Sequence, residues 1–352
     1  MNESKWHRAL SFSLSFLLCF VSHPAACEPP GKALFGGISH TMEATKPRAT
    51  GVARRVPRLP ARARREGVAM LVTTKEMLLD AKKNHYGVGA FNVENLEFVM
   101  AVLAAAEETK SPVIMQTTPG TVKTAGLDYF HAMVAAAAAR TSVPVALHLD
   151  HGDGFDRCMQ AMRVGYTSVM IDGSHVPYEE NIATTAPVAR VGAAMGVPVE
   201  AELGKVGGKE DDGPMAADEN PYTDPDEAVE FVERTGCTSL AIGVGTAHGV
   251  YKGTPHIQQD IVKEINARLD IPLVLHGTSG VPDEQVAEAI KNGISKVNYA
   301  TELRQAYTKG FMAYMAENPE CFDPKKPAKQ GMAEITKIVK IRMENLGSIG
   351  RA

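Results

Sequence analysis

The chain has 352 residues, 44% of them hydrophobic, and a formal net charge of −4, which suits one large globular domain or two smaller ones. The charge is uneven. Residues 1–69 contain 11 Lys and Arg against 4 Asp and Glu, so the remainder carries about −11. The net negative charge of residues 70–352 argues against nucleic acid as a partner, because contacts with phosphate groups need clustered cations. The five cysteines, the last three of them far apart, favour reduced thiols in a cytosol-like compartment.

The first 69 residues are not expected to belong to the fold. An uncharged apolar run inside a signal-like stretch at 5–27 is too short to span a bilayer. Residues 46–65 are rich in Arg, Pro and Ala and contain no acids, which is typical of a transit peptide or of disorder. One interpretation is a two-part leader for organelle import. The favoured one is translation from Met70 and a cytoplasmic location, because the body lacks the disulfide pattern of a secreted protein.

Residues 70–352 repeat one unit, in which a short β-branched run alternates with a longer segment of helical period. Such alternation predicts parallel strands joined by helices. The runs are eight in number: 87–91, 112–116, 144–148, 168–172, 198–202, 239–243, 272–276 and 295–298. Eight units of this kind in about 283 residues predict a single (β/α)₈ TIM barrel that carries the catalytic site.

The connection after the fifth run is the longest and holds the Gly-rich, charged segment GKVGGKEDDGP at 204–214. Long loops on a barrel carry function more often than packing, so we interpret this segment as a mobile lid over the active site. A solvated insertion without a role is the alternative.

Polar side chains come at or just after the ends of six successive runs, from the third to the eighth. They are Asp150, His151, Asp172, Glu202, His248, His276 and Asn298. Strand ends meet at the C-terminal mouth of a barrel, where active sites lie. Each residue alone could be an ordinary hydrogen-bonded group, as we expect for His148, but several buried charges at one rim need partners or a metal. Three histidines with an open fourth position predict a zinc site there.

Two motifs at the last two strands are suited to phosphate. The segment HGTSG at 276–280 places consecutive backbone N–H groups and two hydroxyls before a helix. The segment NYATE at 298–302 follows the eighth run and begins the last long predicted helix. At such a helix start, unpaired N–H groups and the positive end of the helix dipole attract anions. Because phosphate sites after strands seven and eight recur in such barrels, the pair predicts a phosphorylated substrate.

Several motifs of this chain resemble those of class II fructose-bisphosphate aldolases and their tagatose-bisphosphate relatives. They are VALHLDHG (145–152), EAELG with GGKEDD (200–212), GTAHGVY (245–251), LHGTSG (275–280) and VNYATE (297–302). The resemblance runs in order from about Met70 to the C-terminus without a large gap, and the combination of motifs is highly specific. It does not cover residues 1–69.

The resemblance implies a metal-dependent aldolase that reversibly cleaves fructose 1,6-bisphosphate to dihydroxyacetone phosphate and glyceraldehyde 3-phosphate. Three histidines would hold the catalytic Zn²⁺, and two carboxylates resemble positions for a second or displaced metal ion. These residues are His151, His248 and His276, then Asp172 and Glu202. Asp150 resembles the proton donor to the forming C4 hydroxyl, which is the base in cleavage. Glu210 resembles the mobile acid that exchanges the dihydroxyacetone-phosphate proton.

The resemblance also implies a set of substrate and phosphate contacts in the last strand–helix connections. They are Gly249, Gly277, Thr278, Ser279, Asn298, Tyr299, Ala300 and Thr301. Family members often have Val or Ile where this chain has Tyr299, which leaves the aldehyde preference open. A monovalent cation beside the zinc and a homodimeric or homotetrameric assembly are expected as well.

Three alternatives stay open at this stage. A Schiff-base aldolase would perform the same reaction through a lysine inside the barrel, for which Lys205 and Lys296 are the candidates. A non-catalytic phosphosugar-binding barrel could share the fold, since fold alone does not give function. Tagatose 1,6-bisphosphate differs from the fructose compound only in configuration at C4, so pocket geometry would have to separate the two.

Overall fold

The structure is a computed structural model, and it describes residues 71–208, 221–251 and 253–352. All of these residues fall in the second of two units of the chain, Ala61–Ala352. The leader at 1–69 and much of the expected lid, with Glu210, lie outside the described residues. Among the helices of the described residues, none combines the length and the hydropathy needed to cross a membrane.

The strands confirm the (β/α)₈ prediction. In chain order they are β1 (Val88–Asn92), β2 (Val113–Thr117), β3 (Val145–Gly152), β4 (Ser168–Ile171), β5 (Val199–Leu203), β6 (Gly207–Gly208), β7 (Ser239–Ile242), β8 (Ala247–His248), β9 (Leu273–Leu275) and β10 (Ile294–Tyr299). All but β6 and β8 form a closed parallel barrel, in which β1 pairs with both β2 and β10. Every residue of these eight strands is buried, because helices cover one face and side chains fill the interior. The short strands β6 and β8 pair with each other.

Helices alternate with the strands as the repeat predicts. They are α1 (Thr74–Asn84), α2 (Leu96–Thr109), α3 (Pro119–Ala125), α4 (Leu127–Ala138), α5 (Phe155–Val164), α6 (Tyr178–Met195), α7 (Pro225–Thr235), α8 (Gln259–Arg268), α9 (Asp283–Asn292), α10 (Thr301–Glu317) and α11 (Lys325–Asn345). Local sequence sets several of their starts. The Asn95 side chain accepts from the Phe98 N–H to cap α2, and Asp224 caps α7 ahead of Pro225, which needs no donor there.

Helix α1 precedes the first strand and was not among the predicted elements. Its buried Leu78 belongs to one apolar cluster with Ile114 of β2 and Ala146 of β3. Just before the helix, the Val72 N–H donates to the carbonyl of Val145, the first residue of β3. The helix therefore packs at the end of the barrel where the strands begin, and it leaves the opposite end, where the strands finish, available for chemistry.

Candidate active site

Three imidazole rings meet where the barrel strands end. His151 lies in β3, His248 lies in β8, and His276 follows β9 directly. One ligand atom from each residue lies within 4.8 Å of the others, and all three residues are buried. The His151 ring centroid is 4.8 Å from that of His248 and 4.8 Å from that of His276. The fold thus brings together, from distant parts of the chain, the three residues that the sequence predicted as ligands.

A local break in β3 aims two adjacent side chains into the site. Asp150 and His151 lie inside this strand, which runs on to Gly152, and do not follow it as predicted. Neighbouring strand residues normally face opposite sides, but the β3–β4 register shifts here and His151 has a φ of 47°. A non-glycine residue in that region costs about 1–3 kcal/mol, and such strain is concentrated at functional sites. Gly152 is required next, since a Cβ there would lie 2.3 Å from the Met170 carbonyl.

The three histidines have the hydrogen-bonding pattern of metal ligands. In the described part of the chain, His151 Nε2, His248 Nδ1 and His276 Nδ1 are buried without a hydrogen-bond partner. Buried polar atoms are nearly always partnered, so three such atoms in one cluster require an explanation. The far nitrogens of two rings are held by carboxylates: His151 Nδ1 is 2.7 Å from Asp172, and His276 Nε2 is 3.0 Å from Glu200. A carboxylate on the far nitrogen is what orients a ligating imidazole, so the donor set fits Zn²⁺.

Carboxylates surround the histidines and make the site favourable for a cation. Asp172 and Glu202 form a second group with His151, in which the ligand atoms also lie within 4.8 Å of one another. Glu202 Oε2 is 2.8 Å from His276 Nδ1, although these atoms lack hydrogen-bond alignment. Asp172 is itself fixed, because its Oδ1 accepts from the N–H and the hydroxyl of Ser174. Both residues expected at a second metal position, Asp172 and Glu202, therefore lie beside the three histidines.

Close packing of ionisable groups drives their pKa values apart. Burial lowers the pKa of His276, but its contacts with Glu200 and Glu202 outweigh burial and raise it to about 9. Burial, together with the neighbouring His151, lowers the pKa of His248 to about 3. Burial raises the pKa of Glu202, and nearby Asp172 raises it further. Opposed shifts within one small cluster are typical of functional sites.

Asp150 is held by two carboxamides. Its Oδ2 accepts from Gln116 Nε2 at 2.9 Å and its Oδ1 accepts from Asn298 Nδ2 at 3.1 Å. The same Gln116 nitrogen donates to Asn92 Oδ1 at 2.8 Å. Burial raises the pKa of Asp150, but the adjacent His151 and other cationic neighbours outweigh it, so the pKa lies below its ordinary value. Asp150 is therefore a carboxylate at neutral pH, in place to accept a proton.

A cleft joins Asp150 to the two motifs predicted to bind phosphate. Its lining residues are Asn92, Asp150, His248, Gly249, Gly277, Thr278, Ser279, Asn298, Ala300 and Thr301. At one side α10 begins at Thr301, and the Glu302 N–H donates to Ser279 Oγ at 3.5 Å. The positive end of a helix dipole attracts anions, so this end of the cleft is suited to a phosphate group.

Tyr299 is the predicted substrate contact that does not line this cleft. Alternate residues of β10 face opposite sides, so Asn298 faces the cleft and Tyr299 faces the helices. The Tyr299 ring is buried and stacks on Phe91, with 5.7 Å between centroids, and the Arg342 guanidinium lies 5.3 Å from its centre. The side chain packs the barrel against its helical layer, away from the cleft.

Three polar residues of the site were not predicted, and a fourth, Lys296, was named only for the Schiff-base alternative. Asn92 is the last residue of β1 and Gln116 is the last but one of β2, so the strand-end signal that identified Glu202 would also have found them. Glu200 and Lys296 are fully buried, and Lys296 Nζ donates to Glu200 Oε1 at 2.9 Å. Each lies two residues before a predicted site residue, which in a strand means the same face one layer deeper. The two-residue spacing, which recurs in both strands, is the sequence signal that could have identified Glu200 and Lys296 as part of the site.

Lys296 is poorly placed for an imine. A Schiff-base lysine has to be deprotonated and has to reach the substrate carbonyl. Lys296 is instead bonded to Glu200, which also accepts from His276 Nε2, and it does not line the cleft. Its contacts indicate that it supports the histidine cluster through the Glu200 carboxylate.

Known proteins resemble this chain over the whole barrel. A family model described as fructose-bisphosphate aldolase class-II matches residues 72–351. The solved structure of the YdjI aldolase from Escherichia coli K12 is 37% identical with a TM-score of 0.72, and the match covers 80% of this chain and 100% of that one. The fructose-bisphosphate aldolase of Campylobacter jejuni is 25% identical with a TM-score of 0.69, covering 81% and 98% respectively.

Proposed function

The chain belongs to the class II fructose-bisphosphate aldolase family, and we propose that it reversibly cleaves fructose 1,6-bisphosphate to dihydroxyacetone phosphate and glyceraldehyde 3-phosphate. One observation carries the proposal: three buried imidazoles, each with an unpartnered nitrogen, lie beside Asp150 at a cleft that reaches the amino-terminal end of α10. A ketose bisphosphate requires a cation at its carbonyl, a proton acceptor at its C4 hydroxyl and an anion site for phosphate.

We assign the metal ligands to the three histidines. His151, His248 and His276 would hold one catalytic Zn²⁺, while Asp172 and Glu202 provide a second or displaced position. When bound, the metal supplies Lewis-acid stabilisation of the negative charge that develops on the substrate carbonyl oxygen. The hydrogen bond from His151 to Asp172 fixes the tautomer of the imidazole and keeps its Nε2 available. A monovalent cation near this site remains a prediction.

Asp150 is the proposed proton acceptor in cleavage. As the C3–C4 bond breaks, the C4 hydroxyl becomes the aldehyde and its proton passes to the Asp150 carboxylate, which returns it in synthesis. The bonds from Gln116 and Asn298 hold both oxygens of that carboxylate in the cleft. Glu210, outside the described residues, remains the proposed acid that exchanges the proton on dihydroxyacetone phosphate. Loop 204–214 remains its proposed lid.

The activity can be tested with the purified protein and the two substrates that are epimers at C4. We expect cleavage of fructose 1,6-bisphosphate with a higher kcat/KM than tagatose 1,6-bisphosphate, measured by coupled oxidation or reduction of the triose products. The reverse order would favour the tagatose alternative. Binding without cleavage would favour the non-catalytic barrel. Borohydride added with substrate should leave the activity intact, whereas irreversible loss with a label on Lys205 or Lys296 would support the imine mechanism.

Reversible cleavage of fructose 1,6-bisphosphate is a step of glycolysis and gluconeogenesis, and we propose that role here. The assembly is proposed to be a homodimer or a homotetramer, and the location to be cytoplasmic if translation starts at Met70. Import through a two-part leader is the alternative.

The leader should be dispensable for folding and catalysis. The barrel closes through the pairing of β1 with β2 and β10, and all eight of its strands lie between Val88 and Tyr299. A chain shortened to begin at Met70 is therefore expected to match the full chain in kcat/KM and in melting temperature. A clear loss of either would contradict the assignment. Mass spectrometry of the native amino terminus then separates a start at Met70 from a processed terminus between Cys27 and Ala69.

A further inference from the structure

Tyr251 connects two of the three histidine segments through its hydroxyl. The Ala247 N–H donates to Tyr251 Oη at 2.7 Å, and this hydroxyl donates to the Gly277 carbonyl at 2.7 Å. Ala247 directly precedes His248, and Gly277 directly follows His276. A single hydroxyl therefore joins the backbone next to one proposed ligand to the backbone next to another.

The backbones of these two segments also approach closely at the same point. Gly277 has a φ of +62°, and a Cβ built on it would lie 2.6 Å from the carbonyl carbon and oxygen of Ala247. A residue with a side chain would push the segments apart. Close approach and the hydroxyl bridge act together, so the separation of the two ligand-bearing segments is set by Tyr251 and Gly277.

The bridge also reaches the phosphate end of the cleft. Gly277 is followed by Thr278 and Ser279, which line the cleft. The Tyr251 ring packs against the apolar core and lies 3.4 Å from the position of a Cβ on Gly280. Tyr251 thus contacts both ends of the 277–280 turn, and movement of its hydroxyl would move that turn relative to His248.

We propose that Tyr251 is a positioning residue, which holds the His248 segment and the 277–280 turn in the one separation that suits both the metal and the substrate phosphate. The inference rests on the proposed function, because it assumes that His248 and His276 ligate one ion. Metal ligands must be held within about 0.5 Å of the productive geometry by their supporting contacts. Two hydrogen bonds to backbone flanking the ligands provide such support.

Replacing Tyr251 by phenylalanine tests the role of the hydroxyl alone. We expect Zn²⁺ binding to weaken about tenfold, the lower end of the range for contacts that support metal ligands. At saturating zinc, KM for fructose 1,6-bisphosphate should rise while kcat changes little, because the turn that carries the phosphate contacts is displaced and Asp150 is untouched. Zinc affinity is measured by competition with a fluorescent chelator, and melting of the zinc-free protein by circular dichroism.

Tyr86→Phe is the matched control. Its hydroxyl donates to Asp80 Oδ2 at 2.9 Å beside α1, at the end of the barrel away from the histidines. This variant should keep the zinc affinity and the KM of the unaltered protein. Equal zinc affinity and KM in Tyr251→Phe and the unaltered protein would overturn the inference, even if the melting temperature fell. Failure of the unaltered protein to bind zinc would overturn the proposed function as well.

Discussion

Asp150→Ala is expected to lower kcat by about 10²–10⁴-fold, the usual contribution of a positioned acid or base, while the zinc content of the protein is unchanged. The substitution removes the proton acceptor and leaves the three histidines in place, together with the carboxylates bonded to His151 and His276. Of the two donors to Asp150, Asn298 borders the cleft, and Gln116 keeps its hydrogen bond to Asn92. Steady-state kinetics and metal analysis on the same preparation measure both quantities.

Asp153→Ala is the matched control for this variant. Asp153 lies three residues further along the chain, pairs with Arg157 on the surface and has a side chain that is 54% exposed. Exposed substitutions of this kind rarely matter, so its kcat should equal that of the unaltered enzyme. If Asp150→Ala lost its zinc and kept its kcat per bound metal, Asp150 would be a support for the metal site and the proton role would belong elsewhere.

The fold and most of the cleft follow from local patterns in the sequence. Eight apolar runs became eight strands because a parallel strand in a barrel is buried on both faces, which leaves a continuous apolar signature. Residues at the ends of these runs, such as Asp172 and His276, therefore had to lie close together at the C-terminal end of the barrel. This inference needs only the direction of the strands, and direction follows from the βα repeat.

Other features depend on tertiary packing and had no such local signature. The positive φ of His151 and the register shift in β3 place two adjacent side chains in the site, and both arise from how β3 pairs with β4. Tyr299 was assigned to substrate by motif, but strand alternation turns its ring towards Phe91. Helix α1 comes before the first βα unit, so the repeating strand–helix pattern of the sequence did not predict it. The unpredicted features are therefore those that neighbouring elements determine.

Removal of metal should abolish the activity. Prolonged incubation with a chelator is expected to eliminate cleavage of fructose 1,6-bisphosphate, and added Zn²⁺ should restore it. His248→Ala should reproduce the loss, because the proposed site then keeps two of its three nitrogens. This histidine is the best choice for the test, since His151 and His276 also bond to Asp172 and Glu200, and their removal would take a hydrogen bond from each of those carboxylates.

The expected size of the effect on zinc binding can be bounded. Changes to residues that merely support metal ligands cost about 10–100-fold in affinity, so loss of a ligand should exceed about 100-fold. Zinc that binds the folded state adds about 2.7 kcal/mol of stability at 100 times its dissociation constant. Added zinc should therefore raise the melting temperature of the unaltered protein and leave that of His248→Ala nearly unchanged, with the exposed His256→Ala as control. Unchanged activity in protein shown to be free of metal would refute the assignment of the three histidines to catalysis.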